Sequence, residues 1–89
     1  MQNRAITIIN KLGLHARAAA RLVQVSSQFD CEINITFNGK TVNGKSIMGI
    51  MMLAASKGSE VMISTTGPDE MEAVAELEKL INDKFGEGE

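Results

Sequence analysis

Cys31, Ile33, Ile35 and Phe37 alternate without a break with Glu32, Asn34 and Thr36, and Asn38-Gly39 follows at once. Successive side chains of a strand point to opposite faces, so this run is apolar on one face only. Asn-Gly suits a two-residue type I′ turn, whose central positions both need positive φ. The segment predicts a hairpin returning through a short strand, Lys40 to Val42, which the second pair Asn43-Gly44 ends. Half-polar strands of this kind imply an antiparallel sheet with helices packed on one side.

The other segments supply those partners. Arg4 to Asn10 and Glu60 to Thr66 read as strands. Ala16 to Ser27 read as a helix, with Ala16, Ala19, Ala20 and Val23 recurring at i, i+3, i+4 and i+7 as its inner stripe. Ile47 to Ala54 read as a short helix opened by Ser46, a good N-cap residue. Ile47, Ile50, Met51 and Ala54 form its expected buried face, and Met48, Met52 and Ala55 form a second apolar face. Such a helix is either fully buried or partly exposed and used by partners. After Gly67-Pro68, Asp69 stands three residues before Glu72, a capping-box spacing. It opens a last helix whose expected stripe is Met71, Val74, Leu77 and Ile81, with Gly86 to end it and 86–89 as a frayed acidic tail. The order β-α-β-β-α-β-α gives an α+β two-layer fold, a four-stranded antiparallel sheet with three helices on one face.

Composition narrows the chemistry. The 89 residues are expected to form a single domain, 1–89. A net charge of −2 and the absence of Trp and Tyr disfavour a nucleic-acid binder. One His and one Cys cannot supply the ligands of a typical zinc site, and one Cys cannot form an internal disulfide. A lone Cys fits a reducing, cytoplasmic compartment. No apolar run approaches the ~20 residues of a membrane span, and Met1-Gln2-Asn3-Arg4 leads into a strand-like run rather than a signal peptide. The expectation is a soluble cytoplasmic domain without metal or cofactor, too small to enclose a large substrate.

Three places carry candidate chemistry. In Gly13-Leu14-His15-Ala16-Arg17 the only His stands where a helix begins, with Arg17 and Arg21 nearby and no carboxylate between Lys11 and Arg21. A helix N-terminus offers unpaired N–H groups and partial positive charge to an anion. A neutral imidazole, with an unperturbed pKa of ~6.5, is a usable nucleophile at pH 7. The pattern fits reversible phosphorylation of His15; the residues alone fit an exposed or capping histidine as well.

Gly39 to Ser46 match the G-x-x-x-x-G-K-[ST] phosphate loop letter for letter. The hairpin explains Asn38-Gly39 and Val42 better, and the helix that follows is short for a nucleotide site. Ser46 is a cap that would also accept a phosphoryl group favourably, and the methionines after it suit an adaptable docking surface. Cys31, on the apolar face of its strand, is expected to be a buried hydrophobe.

Asn10-Lys11-Leu12-Gly13-Leu14-His15-Ala16-Arg17 resembles the active-site stretch of the HPr family, the histidine-containing phosphocarriers of the phosphoenolpyruvate-dependent phosphotransferase system. Lys45-Ser46-Ile47-Met48-Gly49-Ile50-Met51-Met52-Leu53 resembles that family's regulatory-serine helix. The resemblance covers nearly the whole chain and implies an open-faced β-sandwich. It implies a monomeric carrier, not an enzyme, that takes a phosphoryl group on Nδ1 of His15 from Enzyme I and hands it to an enzyme IIA domain. Arg17 and the first N–H groups of the helix, including that of Ala16, would hold the group. Ser46 would serve an HPr kinase/phosphorylase, and Leu14, Ala20, Ile47, Met48 and Met51 would form the docking patch. Neither nucleic acid nor membrane insertion is implied. A rival reading is a non-catalytic regulatory or protein-binding module. Within the carrier reading, sugar uptake and a nitrogen-regulatory branch would use the same site. The family's stretch usually carries Pro where Ala18 stands; the helix is still expected to start there and His15 still to accept phosphate.

Overall fold

The computed structural model describes residues 1–86. Its elements are β1 (Gln2–Thr7), α1 (Ala16–Ser26), β2 (Glu32–Phe37), β3 (Lys40–Asn43), α2 (Ile47–Met52), β4 (Glu60–Thr66) and α3 (Glu70–Asn82), then a 3₁₀ turn over Lys84–Gly86. The strands form one sheet in the order β1-β4-β2-β3, and every pair is antiparallel.

The hairpin forms as the alternation requires. Asn38 and Gly39 both have positive φ, 56° and 84°. Ile35 lies opposite Val42 on one side and Ile63 on the other, and Ile6 lies opposite Val61. Directly opposed residues share a face, so Ile6, Ile33, Ile35, Val42, Val61 and Ile63 meet on one side of the sheet, while Ala5 and Met62, opposite each other, lie exposed on the other. The helices cover that side: α3 lies over β1 and β4, and α1 packs between α2 and α3. The result is the expected open-faced α+β sandwich, with the other sheet face in solvent.

Several sequence expectations shift in detail. The strand expected over Arg4 to Asn10 runs from Gln2 to Thr7, although Ile8 still exchanges backbone bonds with Ser59 and Gly58 at 2.8 Å each. α1 buries Ala18, Ala19 and Leu22, while Ala16 and Ala20 are exposed, so the expected stripe is rotated. The run of alanines gives no contrast by which periodicity can choose a face. α2 is shorter than expected and buries Ile50; Leu53, just past it, and Ala55 are buried, whereas Ile47, Met51 and Ala54 are exposed. The helix stops because Ala54 turns into the left-handed region, φ 53°.

In α3 the buried set is Ala73, Val74, Leu77 and Ile81, and Met71 points outward. Asp69 is the N-cap residue but makes no capping bond. Its carboxylate accepts instead from the N–H groups of Asp30 (2.8 Å) and Cys31 (2.9 Å). Glu70 does the local work, accepting from the Gly67 N–H at 3.0 Å. The helix ends before Gly86, and Lys84, Phe85 and Gly86 follow with positive φ, a turn that carries Phe85 into full burial. Of the expected frayed tail, residues 87–89 lie outside the described residues.

Candidate functional site

His15 is the N-cap residue of α1, extended at φ −80° and ψ −179°, and its side chain makes no capping hydrogen bond. Its carbonyl accepts the first helical bond, from Ala19 N–H at 2.8 Å. The N–H groups of Ala16, Arg17 and Ala18 precede any intrahelical acceptor, as in every α-helix start. They lie at the end of the helix that carries partial positive charge; His15 is half-buried, and Arg17 and Arg21 are exposed. No acidic side chain lies in the first turn. An anion on the imidazole would thus meet N–H donors and positive charge.

The loop before His15 is built for one conformation. Asn10 is buried, and its Nδ2 donates to the Gly13 carbonyl at 2.8 Å. Gly13 N–H donates back to the Asn10 carbonyl at 3.2 Å, and His15 N–H donates to Gly13 at 2.9 Å. Gly13 has φ +66°, and a Cβ there would come within 2.6 Å of the Ala55 carbonyl oxygen and 2.8 Å of Ser56 Cα. The site therefore needs a residue with no side chain in the left-handed region. Leu14 N–H donates to that Ala55 carbonyl at 2.9 Å, so the loop is bonded to the segment leaving α2.

The structure gathers some of the sequence candidates and separates others. His15, Ala16, Arg17 and Ala20 lie along the opening of α1 with Ala16, Arg17 and Ala20 exposed. Leu14 is 5% exposed and belongs to the core, so it offers almost no surface to a partner. Leu12, 65% exposed, is the leucine at the surface, and no sequence signal separated the two. Ile47, Met48, Met51 and Met52 are all exposed on α2. Ala18, where the family usually carries Pro, is fully buried. Its N–H has no intrahelical acceptor to lose, and with Ala there the helix starts at Ala16 as expected. The tether to Ala55 was not legible, although Gly13 in the loop was its local trace.

Ser46 caps α2, accepting from the Gly49 N–H at 3.0 Å. Lys45, the would-be phosphate-loop lysine, donates its Nζ to the Phe29 carbonyl at 2.7 Å, and Lys40–Asn43 is strand. The Gly39 to Ser46 match is thus hairpin, return strand and cap, not a nucleotide cradle. Cys31 is buried as expected; burial, and then the Asp69 carboxylate beside it, push its thiol up to about 11.

A two-layer α+β fold that presents a histidine at a helix start, directly before N–H groups with no helical acceptor and with Arg17 exposed two residues on, defines a small protein suited to carrying an anionic group on its surface. The family profile for the PTS HPr component phosphorylation site matches residues 2–83. The phosphocarrier protein HPr of Neisseria meningitidis serogroup A is 56% identical over 89 residues, all of both chains. The crystal structure of an HPr from Thermoanaerobacter tengcongensis superposes with a TM-score of 0.95 at 50% identity, covering 98% of each chain. An HPr dimer from the same organism superposes at 0.79, with 50% identity over 98% of this chain and 100% of that one. The chain belongs to the HPr family, the phosphocarrier proteins of the phosphotransferase system.

Proposed function

We propose that His15 is the phosphoryl acceptor, loaded by phosphorylated Enzyme I and unloaded by an enzyme IIA domain. The observation that carries this is the position of His15 as N-cap of α1, immediately before the first-turn N–H groups that no intrahelical carbonyl satisfies. Phosphoryl transfer asks little covalent chemistry of the protein and much positioning and charge stabilisation. The ring nitrogen attacks phosphorus as the donor nitrogen of Enzyme I leaves. The three phosphoryl oxygens are then met by the N–H groups of Ala16 and Arg17 and by the Arg17 guanidinium. The reverse step gives the group to the next carrier, so the chain turns over as a substrate, not as an enzyme.

Docking falls to the exposed face that Ile47, Met48 and Met51 form on α2, with Ala20 on α1. Ser46, at the head of that face, is the site for a regulatory serine kinase such as HPr kinase/phosphorylase. The chain works as a monomer in the cytoplasm. Its single buried, unpaired Cys31 fits a reducing compartment, and no helix among the described residues is long and apolar enough to cross a membrane.

The test is incubation with Enzyme I and phosphoenolpyruvate, followed by mass spectrometry to locate the phosphate. Acid-labile phosphate on His15, abolished in His15→Ala, is expected. Labelling that survives His15→Ala would place the acceptor on another residue, and no labelling of the parent chain would leave the histidine structural and favour a plain binding module.

A further inference from the structure

All six methionines of the chain have exposed side chains, and three of them fall within the six residues of α2. Met48 and Met52 are 71% and 67% exposed. Four residues apart on a helix, they are neighbours on one face, and Met51 adjoins them. The chain's other sulfur is shielded: Cys31 is buried and its thiol is held protonated near neutral pH. A thiol in that state is a poor target for oxidants, whereas exposed thioethers are open ones. The reactive sulfur of this surface is therefore thioether, and α2 holds half of it.

We propose that Met48 and Met52, with Met51, form an oxidation site at which a hydroperoxide converts the docking face of α2 into a polar one and slows phosphoryl transfer. The proposal rests on the docking reading given above. In the step, a thioether sulfur attacks one oxygen of the hydroperoxide. An S–O bond forms and the O–O bond breaks. The other oxygen leaves as water or alcohol after taking up the proton, so sulfur is oxidised and the peroxide reduced. A reductase that reduces methionine sulfoxide restores the thioether.

The fold survives this modification because α2 is anchored by Ile50 and, just beyond, Leu53, not by its methionines. What changes is the surface: a flexible apolar side chain becomes a polar one, which a partner can bury only by meeting a new acceptor. The face is close to the chemistry, since the chain leaving α2 is bonded to the loop before His15 through Ala55 and Leu14.

The test treats the purified chain with dilute hydrogen peroxide, maps added oxygen by peptide mass spectrometry and measures the rate of phosphorylation by Enzyme I before and after. Oxygen on Met48 and Met52, an unchanged circular dichroism spectrum, a roughly tenfold fall in rate and recovery with methionine sulfoxide reductase are expected. Met48→Leu/Met51→Leu/Met52→Leu should show the same rate before and after peroxide. Met62→Leu/Met71→Leu should remain as sensitive as the parent chain. Normal transfer before treatment and equal transfer after it overturn the proposal alone, as does loss of the fold on oxidation or equal slowing of the triple variant. Failure of the untreated chain to accept phosphate removes the carrier reading and this proposal with it.

Discussion

The backbone N–H of Leu14 donates to the carbonyl of Ala55 at 2.9 Å, which joins the residue before His15 to the chain just beyond α2. The two residues are far apart in sequence, and the bond closes the gap between the histidine proposed to carry phosphate and the face on which partners are proposed to dock. Both ends of the tether rest on left-handed backbone: Gly13 at φ 66° on one side and Ala54 at φ 53° on the other.

Gly13 is the position where that tether tolerates least. An added Cβ meets Ala55 and Ser56 backbone atoms at 2.6 and 2.8 Å, and the φ is unfavourable for any L side chain. Gly13→Ala should destabilise the fold by about 2–4 kcal/mol, combining left-handed strain with overpacking. Urea denaturation reads the loss. A change under 1 kcal/mol would mean that the loop gives way and the tether is slack, about the lower bound for such a clash.

Ala54 predicts the opposite sign. It follows the last turn of α2 at the position where glycine is commonest, because only glycine is unstrained there. Ala54→Gly should stabilise the fold by up to about 1 kcal/mol, the relief of left-handed strain less the greater freedom of glycine in the unfolded chain. Thermal unfolding checks it, and an Ala54→Gly chain that melts lower than the parent refutes it.

The contrast between these positions and the rest of the fold shows what the sequence could disclose. Strand β2 was legible because its alternation has a single reading: Cys31, Ile33, Ile35 and Phe37 on one face, Glu32, Asn34 and Thr36 on the other. His15 was legible because it is the only imidazole and stands at a helix start. The buried face of α1 was not, because Ala16, Ala18, Ala19 and Ala20 look alike to any periodicity. Asp69 was misread as a local cap because its partners, Asp30 and Cys31, are 39 and 38 residues away. Phe85 was missed because nothing in Lys84-Phe85 announces left-handed backbone, which costs a non-glycine residue energy and is offset here by burying the ring.

The carboxylates at the head of α3 should contribute to the acid sensitivity of the fold. The Gly67 N–H, and then the N-terminal ammonium, hold Glu70 down to about 2, from an ordinary value of 4.5. The Asp30 N–H, foremost, lowers Asp69 from 3.8. Since the folded chain holds these protons less tightly than the unfolded chain, their contribution is full above about pH 4.5 and is lost as pH falls toward 2. Melting temperature should therefore drop through that window, and Glu70→Gln should flatten the drop. An equally steep profile in Glu70→Gln would place the acid sensitivity elsewhere.

Ser46 separates capping from charge. Its Oγ accepts the Gly49 N–H at 3.0 Å, and the absence of a side chain at Gly49 leaves room above it: a Cβ there would lie 3.2 Å from that oxygen. Ser46→Ala removes the acceptor and should cost about 0.5–2 kcal/mol of stability. Ser46→Asp keeps an acceptor and places negative charge at a helix start, where it is favourable, so that variant should melt near the parent. The same charge stands next in sequence to Ile47 and Met48 on the proposed docking face, as a phosphoryl group on Ser46 would. Phosphorylation of Ser46→Asp by Enzyme I should accordingly be slower although its fold is intact. Transfer at the parent rate by a normally folded Ser46→Asp chain would show that partners do not sense charge at the head of α2.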